Sequence, residues 1–279
     1  MHWILQENLF KESEWENLVG ALERFNLPYS VHKVVPFVGE LIPEVHNESG
    51  TKVICFGSYS LRHAAKKNGW TPGVYDLFDQ NFEVQKLHWG DMLLNYSATV
   101  MPLRDANIPW DLPAFIRPID DSKYFAGRVF EAGEWNTWAN SIVDGADYGN
   151  GLTPDTKVQI CRPTNIIAEW RYWIVDQKII TRSLYKRGGK VIYSNKDWDI
   201  PREADWFATT VLKTDLTSGV RGITLEASNS GWRPADAFVL DICQTADGFK
   251  IVEINTINSA GFYAANITDL VLALEELNK

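Results

Sequence analysis

The sequence is poor in cysteine, with three copies at positions 55, 161 and 243 that lie far apart within apolar runs. An odd number of widely spaced thiols fits neither a disulfide framework nor a zinc site, and it is typical of a reducing cytoplasm. Histidine is also scarce. The five histidines show no metal-ligand spacing such as H-E-x-x-H, which argues against a histidine-based metal centre.

Long hydrophobic runs and a basic leader are missing too. No window approaches 18 uncharged apolar residues, so we expect no transmembrane helix. The N-terminus lacks the basic segment and apolar core of a signal peptide. The chain has 27 basic and 36 acidic residues and a net charge of −9, which disfavours docking along a nucleic-acid backbone. We therefore expect a cytoplasmic protein that binds neither a membrane nor nucleic acid.

The common phosphate-binding motif G-x-x-x-x-G-K-[ST] does not occur in the chain. FGSYS at 56–60 follows a strand and opens a helix, so its N–H groups could hold an anion, but it lacks the motif's lysine. KDWD at 196–199 and KTDL at 213–216 lack the glycine of the K-x-D-G motif of nucleotidyl-transferring ligases. None of these segments therefore predicts the site.

What the chain has is enough apolar sequence for two structural units. The length of 279 residues and the apolar fraction of 45% predict about two of them. Alternating strands and helices over 1–103 predict a small α/β unit. Prolines and aspartates interrupt residues 104–113, which are typical of a linker. Residues 114–279 mix helices with paired strands and predict an α+β unit with an antiparallel sheet.

Residues 238–261, FVLDICQTADGFKIVEINTINSAG, read as two strands joined by an Asp-Gly turn. Alternate residues of a strand share a face, so Glu253 and Asn255 lie together. A bulged three-residue loop at 246–248 would pair Asp241 with Glu253, whereas a strict two-residue turn would put Asp241 on the other face. Three oxygen-bearing side chains suit Mg²⁺, although a solvated sheet face has the same pattern.

A second charged feature is the strand AFIRP with the polar loop IDDSKYFAG that follows it. A cation at the end of a buried strand, followed by a loop with a second cation and a glycine, can hold a polyphosphate. Arg117 would make a forked contact with two phosphate oxygens, and Lys123 would cover others from the loop. A structural role for Arg117 fits the same pattern.

A third charged feature lies in residues 168–186, which read as a hairpin that turns at 176–177. Glu169 and Arg171 share one face of the first strand, and Lys186 ends the second. Opposite charges on paired strands also occur as surface ion-pair ladders, so this feature alone does not define a site.

Together these features resemble the ATP-grasp superfamily of ATP-dependent carboxylate–amine ligases. The shared order is a strand-Arg-Pro segment with a glycine-ended loop, a V-Q-I strand, Glu-x-Arg, Asp and Glu-x-Asn. More narrowly, the sequence resembles a clade of bacteriophages and bacteria in which arginine replaces the usual phosphate-strand lysine; VEINTINSAGFYAANI carries this most strongly. The resemblance covers about residues 112–268. It implies a pre-ATP-grasp-like unit at 1–103, then subdomains at about 114–157 and 158–279.

The resemblance also implies which residues bind the metal and the phosphates. Asp241, Glu253 and Asn255 would hold Mg²⁺ that bridges the phosphates of ATP. Arg117 would contact the phosphates from its strand, and Lys123 would reach them from a loop that closes to exclude water.

Other positions would bind the nucleoside or act in catalysis. By the same resemblance, Gln159, Ile160 and Cys161 would line the adenine through backbone groups at the hinge between the two halves. Glu169 matches the position that binds the ribose hydroxyls. The catalytic cations near the γ-phosphate or the acyl phosphate would be Arg171 and Lys186.

The expected function is ATP- and Mg²⁺-dependent ligation of a carboxylate to an amine through an acyl phosphate, with release of ADP and phosphate. The substrates would be small molecules or peptides in a bacterial, possibly phage-encoded, setting. A phosphotransferase and a nucleotide-binding protein without turnover are the alternatives. Candidate acceptor contacts are Lys190, Arg221, Arg233, Asn258 and the turn at 259–261. The sequence makes no prediction of the oligomeric state.

Overall fold

The computed structural model describes residues 1–7, 14–45, 52–77, 80–108, 112–120, 125–145, 151–217 and 231–279. The strands of these residues form three sheets. The first is N-terminal and has the spatial order β3-β2-β1-β4-β5. Its strands are β1 (His2–Gln6), β2 (Tyr29–Val34), β3 (Leu41–Ile42), β4 (Lys52–Phe56) and β5 (Thr71–Gly73).

The first sheet is parallel except for its edge strand β3, which runs antiparallel to β2. Helices α1 (Trp15–Arg24) and α2 (Leu61–Asn68) connect its strands. β1 and β4 are apolar along most of their length and buried on both faces, as expected for the interior of a parallel sheet. The predicted α/β unit is therefore present.

The second sheet is antiparallel and has the order β6-β9-β7-β8. Its strands are β6 (Thr99–Pro102), β7 (Ala114–Pro118), β8 (Arg128–Phe130) and β9 (Lys157–Cys161). Helix α3 (Phe82–Trp89) precedes it, and α4 (Ala132–Val143) packs on one of its faces through Trp135. Because β6 comes from the segment assigned to the N-terminal unit, the two units are linked by a shared sheet, and the boundary at 103 stays a prediction.

The third sheet is also antiparallel and has the order β12-β11-β10-β13-β14. Its strands are β10 (Ala168–Val175), β11 (Lys178–Arg187), β12 (Lys190–Ser194), β13 (Ala237–Thr245) and β14 (Gly248–Thr256). The hairpin of β10 and β11 turns at Asp176 and Gln177, which have φ values of 50° and 58° as a tight two-residue hairpin turn requires. The predicted position of this turn is confirmed.

The hairpin of β13 and β14 reaches the predicted pairing by a different route. Asp241 pairs with Glu253, as the bulged form requires. However, Thr245 pairs with Gly248, so the turn has two residues, and the register shifts by one residue between Asp241 and Ile242. The extra residue is Val252. The bulge therefore lies beside the charged side chains instead of in the turn, which corrects the predicted loop at 246–248.

The third sheet is covered on both faces. Helix α5 (Arg202–Lys213) packs on one face against Tyr172 and Leu240. Helix α6 (Ile267–Leu277) packs on the other face, against Trp173, and joins the core of the N-terminal sheet. The face that carries Arg171 thus continues into the interface with the first sheet.

The fold is the predicted one, an α/β N-terminal unit followed by an α+β part with antiparallel sheets. The three cysteines are free and buried. Among the described residues, no helix is long and apolar enough to cross a membrane.

Candidate active site

Three neighbouring strands place charged side chains in one row across the third sheet. Arg171 on β10 pairs with Asp241 on β13, and Asp241 pairs with Glu253 on β14. Residues that pair directly across an antiparallel sheet project from the same face. The amide Nδ2 of Asn255 lies 3.0 Å from Glu253 Oε1 and 3.5 Å from Asp241 Oδ2. The structure therefore brings the three predicted metal ligands together.

The ion pair of Arg171 and Asp241 is buried. Arg171 Nε and Nη2 donate to the two oxygens of Asp241 at 2.8 and 2.7 Å, and Nη1 donates to the carbonyl of Gly261 at 3.2 Å. Burial raises the pKa of Asp241, and the charge and hydrogen bonds of Arg171 oppose that rise. Burial alone would lower the pKa of Arg171, but the charge of Asp241 outweighs it and keeps the guanidinium protonated. Arg171 is thus committed to Asp241.

The ion pair of Arg117 and Glu253 is more accessible. Nη1 of Arg117 lies 3.3 Å from Glu253 Oε2, and the two side chains are 25% and 35% exposed. Gly127 lies against Arg117, since a Cβ on this glycine would stand 2.7 Å from Arg117 Cβ. The end of the 119–127 loop therefore packs closely on the arginine at the end of its strand.

Glu169 and Lys186 form a third pair in the same region. Lys186 Nζ lies 2.7 Å from Glu169 Oε1, and the hydroxyl of Tyr185 donates to Glu169 Oε2 at 2.6 Å. Burial and the carboxylates of Asp241 and Glu169 raise the pKa of Tyr185, so its hydroxyl stays protonated. The Lys186 side chain is 40% exposed and can reach a ligand.

A cavity of about 590 Å³ lies between residues of the second and third sheets. It falls within the roughly 300–1,000 Å³ that is typical of small-molecule sites. Its wall includes Phe115, Arg117, Gly127, Glu169, Lys186 and Glu253. Predicted nucleotide and catalytic residues from four strands thus share one cavity, with the metal-ligand row at its edge.

Gln159 lies in a smaller crevice of about 30 Å³, together with Arg117, Glu253 and Asn255. Its side chain is 3% exposed, and its Oε1 has no hydrogen-bond partner among the described residues. β9 is paired on both sides, to β6 and to β7, so the backbone groups of Gln159 are engaged in the sheet. The side chain of Gln159 is therefore available to a ligand, whereas the expected backbone contact does not fit this pairing.

The neighbours of Gln159 on β9 are less available. The Ile160 side chain lies in the core between the second sheet and α4, and its backbone is also paired on both sides. Cys161 is buried, with its Sγ 3.4 Å from Asn95 Oδ1, and burial raises its pKa to about 11. Both residues shape the crevice and supply no charged or exposed group to it.

Of the expected acceptor contacts, Asn258 is buried and structural. Its Oδ1 accepts the backbone N–H of Tyr75 at 2.7 Å, and its Nδ2 donates to the carbonyl of Cys55 at 2.7 Å. Asn258 therefore ties the segment after β14 to the N-terminal sheet, with its whole amide engaged.

The remaining expected contacts are not gathered at the site. Arg233 pairs with Asp176 at 3.1 Å and with Asp236 at 2.9 Å. Because Asp176 is in the hairpin turn, these contacts are at the opposite end of β10 from Glu169. Lys190 is exposed at the start of the edge strand β12. Lys123 and Arg221 lie outside the described residues.

The donor set fits a magnesium ion bound together with a nucleotide. Within the described part of the chain, His, Cys, Asp and Glu side chains form no group of three that could hold a metal alone. The row offers two carboxylates and one amide instead. Mg²⁺ is commonly held by one or two carboxylates and completes its octahedron with water and phosphate oxygens. Asp241, Glu253 and Asn255 are therefore sufficient if phosphates supply the rest.

Comparison with known proteins agrees with this geometry. The model of an ATP-grasp domain family, the third family of the clade named for arginine in place of lysine, matches residues 39–274. The chain belongs to this family of ATP-grasp proteins. No curated protein matches the chain at a significant level.

Solved structures share the fold at low sequence identity. D-cycloserine synthetase DcsG has a TM-score of 0.55 and 12% identity, over 99% of this chain and 100% of that one. D-alanine–D-alanine ligase from Bacillus anthracis, complexed with ATP, has a TM-score of 0.53 and 10% identity, over 99% and 96% of the two chains. A RimK-domain ATP-grasp protein from Sphaerobacter thermophilus has a TM-score of 0.51 and 9% identity, over 100% and 96%. These likenesses establish the fold.

Proposed function

We propose that this protein is an ATP- and Mg²⁺-dependent ligase that joins a carboxylate to an amine and releases ADP and phosphate. The observation that carries the proposal is the row of Asp241, Glu253 and Asn255 at the edge of a cavity that also holds Arg117 and Lys186. Two proteins of similar structure, a D-cycloserine synthetase and a D-alanine–D-alanine ligase, support the same reaction class.

Glu253 and Asn255 are the accessible ligands for Mg²⁺, and Asp241 supplies a carboxylate held from behind by Arg171. When bound, the ion would offset the negative charge that ATP and a carboxylate substrate bring together. Arg117 pairs with Glu253 in the structure. The pair is open enough for Arg117 to turn towards the phosphates once Glu253 has another cation as its partner.

The nucleoside end of ATP fits the residues around β9 and β10. The buried Oε1 of Gln159 requires a hydrogen-bond donor, and the exocyclic amine of adenine is one. Glu169 would accept from the ribose hydroxyls, as the family resemblance implies, once Lys186 has moved from its carboxylate to the phosphates. Tyr185 would keep Glu169 oriented during this exchange.

The reaction then follows from the chemistry of its substrates. A carboxylate oxygen attacks the γ-phosphorus of ATP, the bond to the β-phosphate oxygen breaks, and ADP leaves. The amine nitrogen attacks the acyl carbon, the phosphate departs with its oxygen, and the nitrogen loses a proton. Arg117 and Lys186 would stabilise the transferring group electrostatically. Closure of the 119–127 loop, with Lys123, would protect the acyl phosphate from water.

The test is a screen of small-molecule and peptide carboxylates and amines for ADP and phosphate release, with Glu253→Gln as the matched inactive variant. A ligase releases both products only when an acid and an amine are present together. A phosphotransferase would release ADP and a stable phosphorylated product without phosphate. ADP formation without an amine requirement, or nucleotide binding with no turnover on any pair, would contradict the proposal.

A further inference from the structure

Tyr263 has a backbone conformation that tyrosine rarely adopts. Its φ is +50°, in the left-handed region where the Cβ of an L-residue crowds the following carbonyl. The residue lies in the segment between β14, which carries Glu253 and Asn255, and helix α6. Conformations of this kind persist only where the surroundings fix them, and they cluster at functional sites.

Neighbouring contacts fix the segment around Tyr263. The N–H of Ala264 donates to Ser183 Oγ at 3.3 Å, and the N–H of Asn266 donates to Thr181 Oγ1 at 2.8 Å. On the other side, the Phe262 ring stacks on Phe56 of the N-terminal sheet, with centroids 5.8 Å apart. The segment is therefore anchored to β11 and to the first sheet, and Tyr263 is held between these anchors.

The ring of Tyr263 lies against the guanidinium of Arg171. Arg171 Cζ is 4.5 Å from the centroid of Tyr263 and 5.7 Å from that of Tyr185. Tyr263 stacks with Tyr185 at 5.1 Å and with Tyr193 at 4.9 Å, with interplanar angles of 20° and 22°. Arg171 is buried, so its attraction to the ring is little screened by water.

We propose that Tyr263 is a positioning residue for the divalent cation, acting through Arg171 and Asp241. Two parallel hydrogen bonds require the guanidinium and carboxylate planes to coincide. A ring against the guanidinium opposes its tilting, so Asp241 Oδ2 stays directed towards Asn255, 3.5 Å away. The inference rests on the proposed function, because it takes Asp241, Glu253 and Asn255 as the ligands of Mg²⁺.

The experiment measures the apparent Kd of Mg²⁺ from the rise in melting temperature with increasing Mg²⁺ at fixed excess ATP, which requires no turnover. Tyr263→Phe keeps the ring and should bind Mg²⁺ within about twofold of the native protein. Tyr263→Leu removes the ring and should raise the apparent Kd about tenfold. Tyr193→Leu is the matched control, since Tyr193 stacks on Tyr263 at the exposed end of the stack, and it should resemble the native protein.

A double substitution separates positioning from general loss of packing. Arg171→Lys keeps the positive charge but cannot form the two parallel bonds, so Tyr263→Leu should weaken Mg²⁺ binding no further in that background. A native Mg²⁺ dependence in Tyr263→Leu, or equal added losses in both backgrounds, would overturn the inference and leave the proposed function standing. The absence of any Mg²⁺-dependent shift in the native protein would overturn both.

Discussion

The two ion pairs of the metal row differ in burial, and this predicts opposite consequences when each arginine is lost. The side chains of Arg171 and Asp241 are 8% and 2% exposed, whereas those of Arg117 and Glu253 are 25% and 35% exposed. Arg171→Met leaves a buried carboxylate without its partner, which should lower the free energy of unfolding by about 3–5 kcal/mol. Arg117→Met removes an open pair and should cost about 0–1 kcal/mol.

The assay is urea denaturation of the native protein and both variants, followed by intrinsic tryptophan fluorescence. The same variants should reverse their order in MgATP-dependent stabilisation. Arg117→Met should lose most of its MgATP-dependent shift in melting temperature, because it removes a phosphate contact at little cost to the fold. Arg171→Met combined with Asp241→Leu should recover part of the lost stability, since an apolar pair replaces the unpaired charge.

Two results would refute this reasoning. A loss below about 1 kcal/mol for Arg171→Met would mean that water reaches Asp241 in solution and that the pair is not buried. Equal losses for the two arginine variants would mean that burial does not separate a fixed pair from an exchangeable one, and the division of roles in the row would fail.

Three further predictions concern the surroundings of the row. Gln159→Met removes the buried acceptor and should weaken ATP binding about tenfold while changing GTP binding less, which competition between the two nucleotides would measure; an unchanged preference would contradict the adenine contact. Gly127→Ala adds a Cβ 2.7 Å from that of Arg117 and should weaken MgATP binding, whereas Gly133→Ala, with nothing within 4 Å of the new Cβ, should leave binding unchanged and stabilise the fold by about 0.5–1 kcal/mol; equal binding by both variants would contradict the close packing of the loop. Asn258→Ala leaves two buried backbone groups without partners and should lower the free energy of unfolding by about 2–5 kcal/mol in urea denaturation; a loss below about 1 kcal/mol would show that the tie is dispensable.

Much of the metal row could be predicted from sequence alternation. Glu253 and Asn255 share a face because they are two residues apart in one strand, and Glu169 and Arg171 do so for the same reason. The pairing of Asp241 with Glu253 needed one extra residue in the hairpin. Sequence reasoning placed it in the turn because Asp-Gly favours bulged turns, whereas the chain places it at Val252.

Bulges also explain why Tyr185 was missed. Simple alternation puts Tyr185 on the face opposite to Lys186, but the register shift between Glu169 and Trp170 brings its hydroxyl to Glu169. Bulges depend on how two strands twist against each other, and a single strand's sequence carries no signal for that. Tyr263 did lie within the segment that carried the family resemblance, but its contact with Arg171 depends on the packing of three strands and a turn.

Partners distant in sequence were the least predictable. The tie of Asn258 to β4 spans 203 residues. The commitment of Arg171 to Asp241 depends on burial, and burial follows from the complete fold. An asparagine after a metal strand and an arginine beside a carboxylate look the same in sequence, whether they face a ligand or the core.

The central claim is that Asp241 and Glu253 hold Mg²⁺ together with ATP. The most direct test is the melting temperature with ATP, with Mg²⁺ and with both, for the native protein, Asp241→Asn and Glu253→Gln. At about 100 times the dissociation constant, the ligand should stabilise the native protein by roughly 2.7 kcal/mol, or about 5–10 °C. The account predicts a shift that needs both ATP and Mg²⁺ and that either substitution removes. An equal shift with ATP alone, or a full shift in both variants, would contradict it.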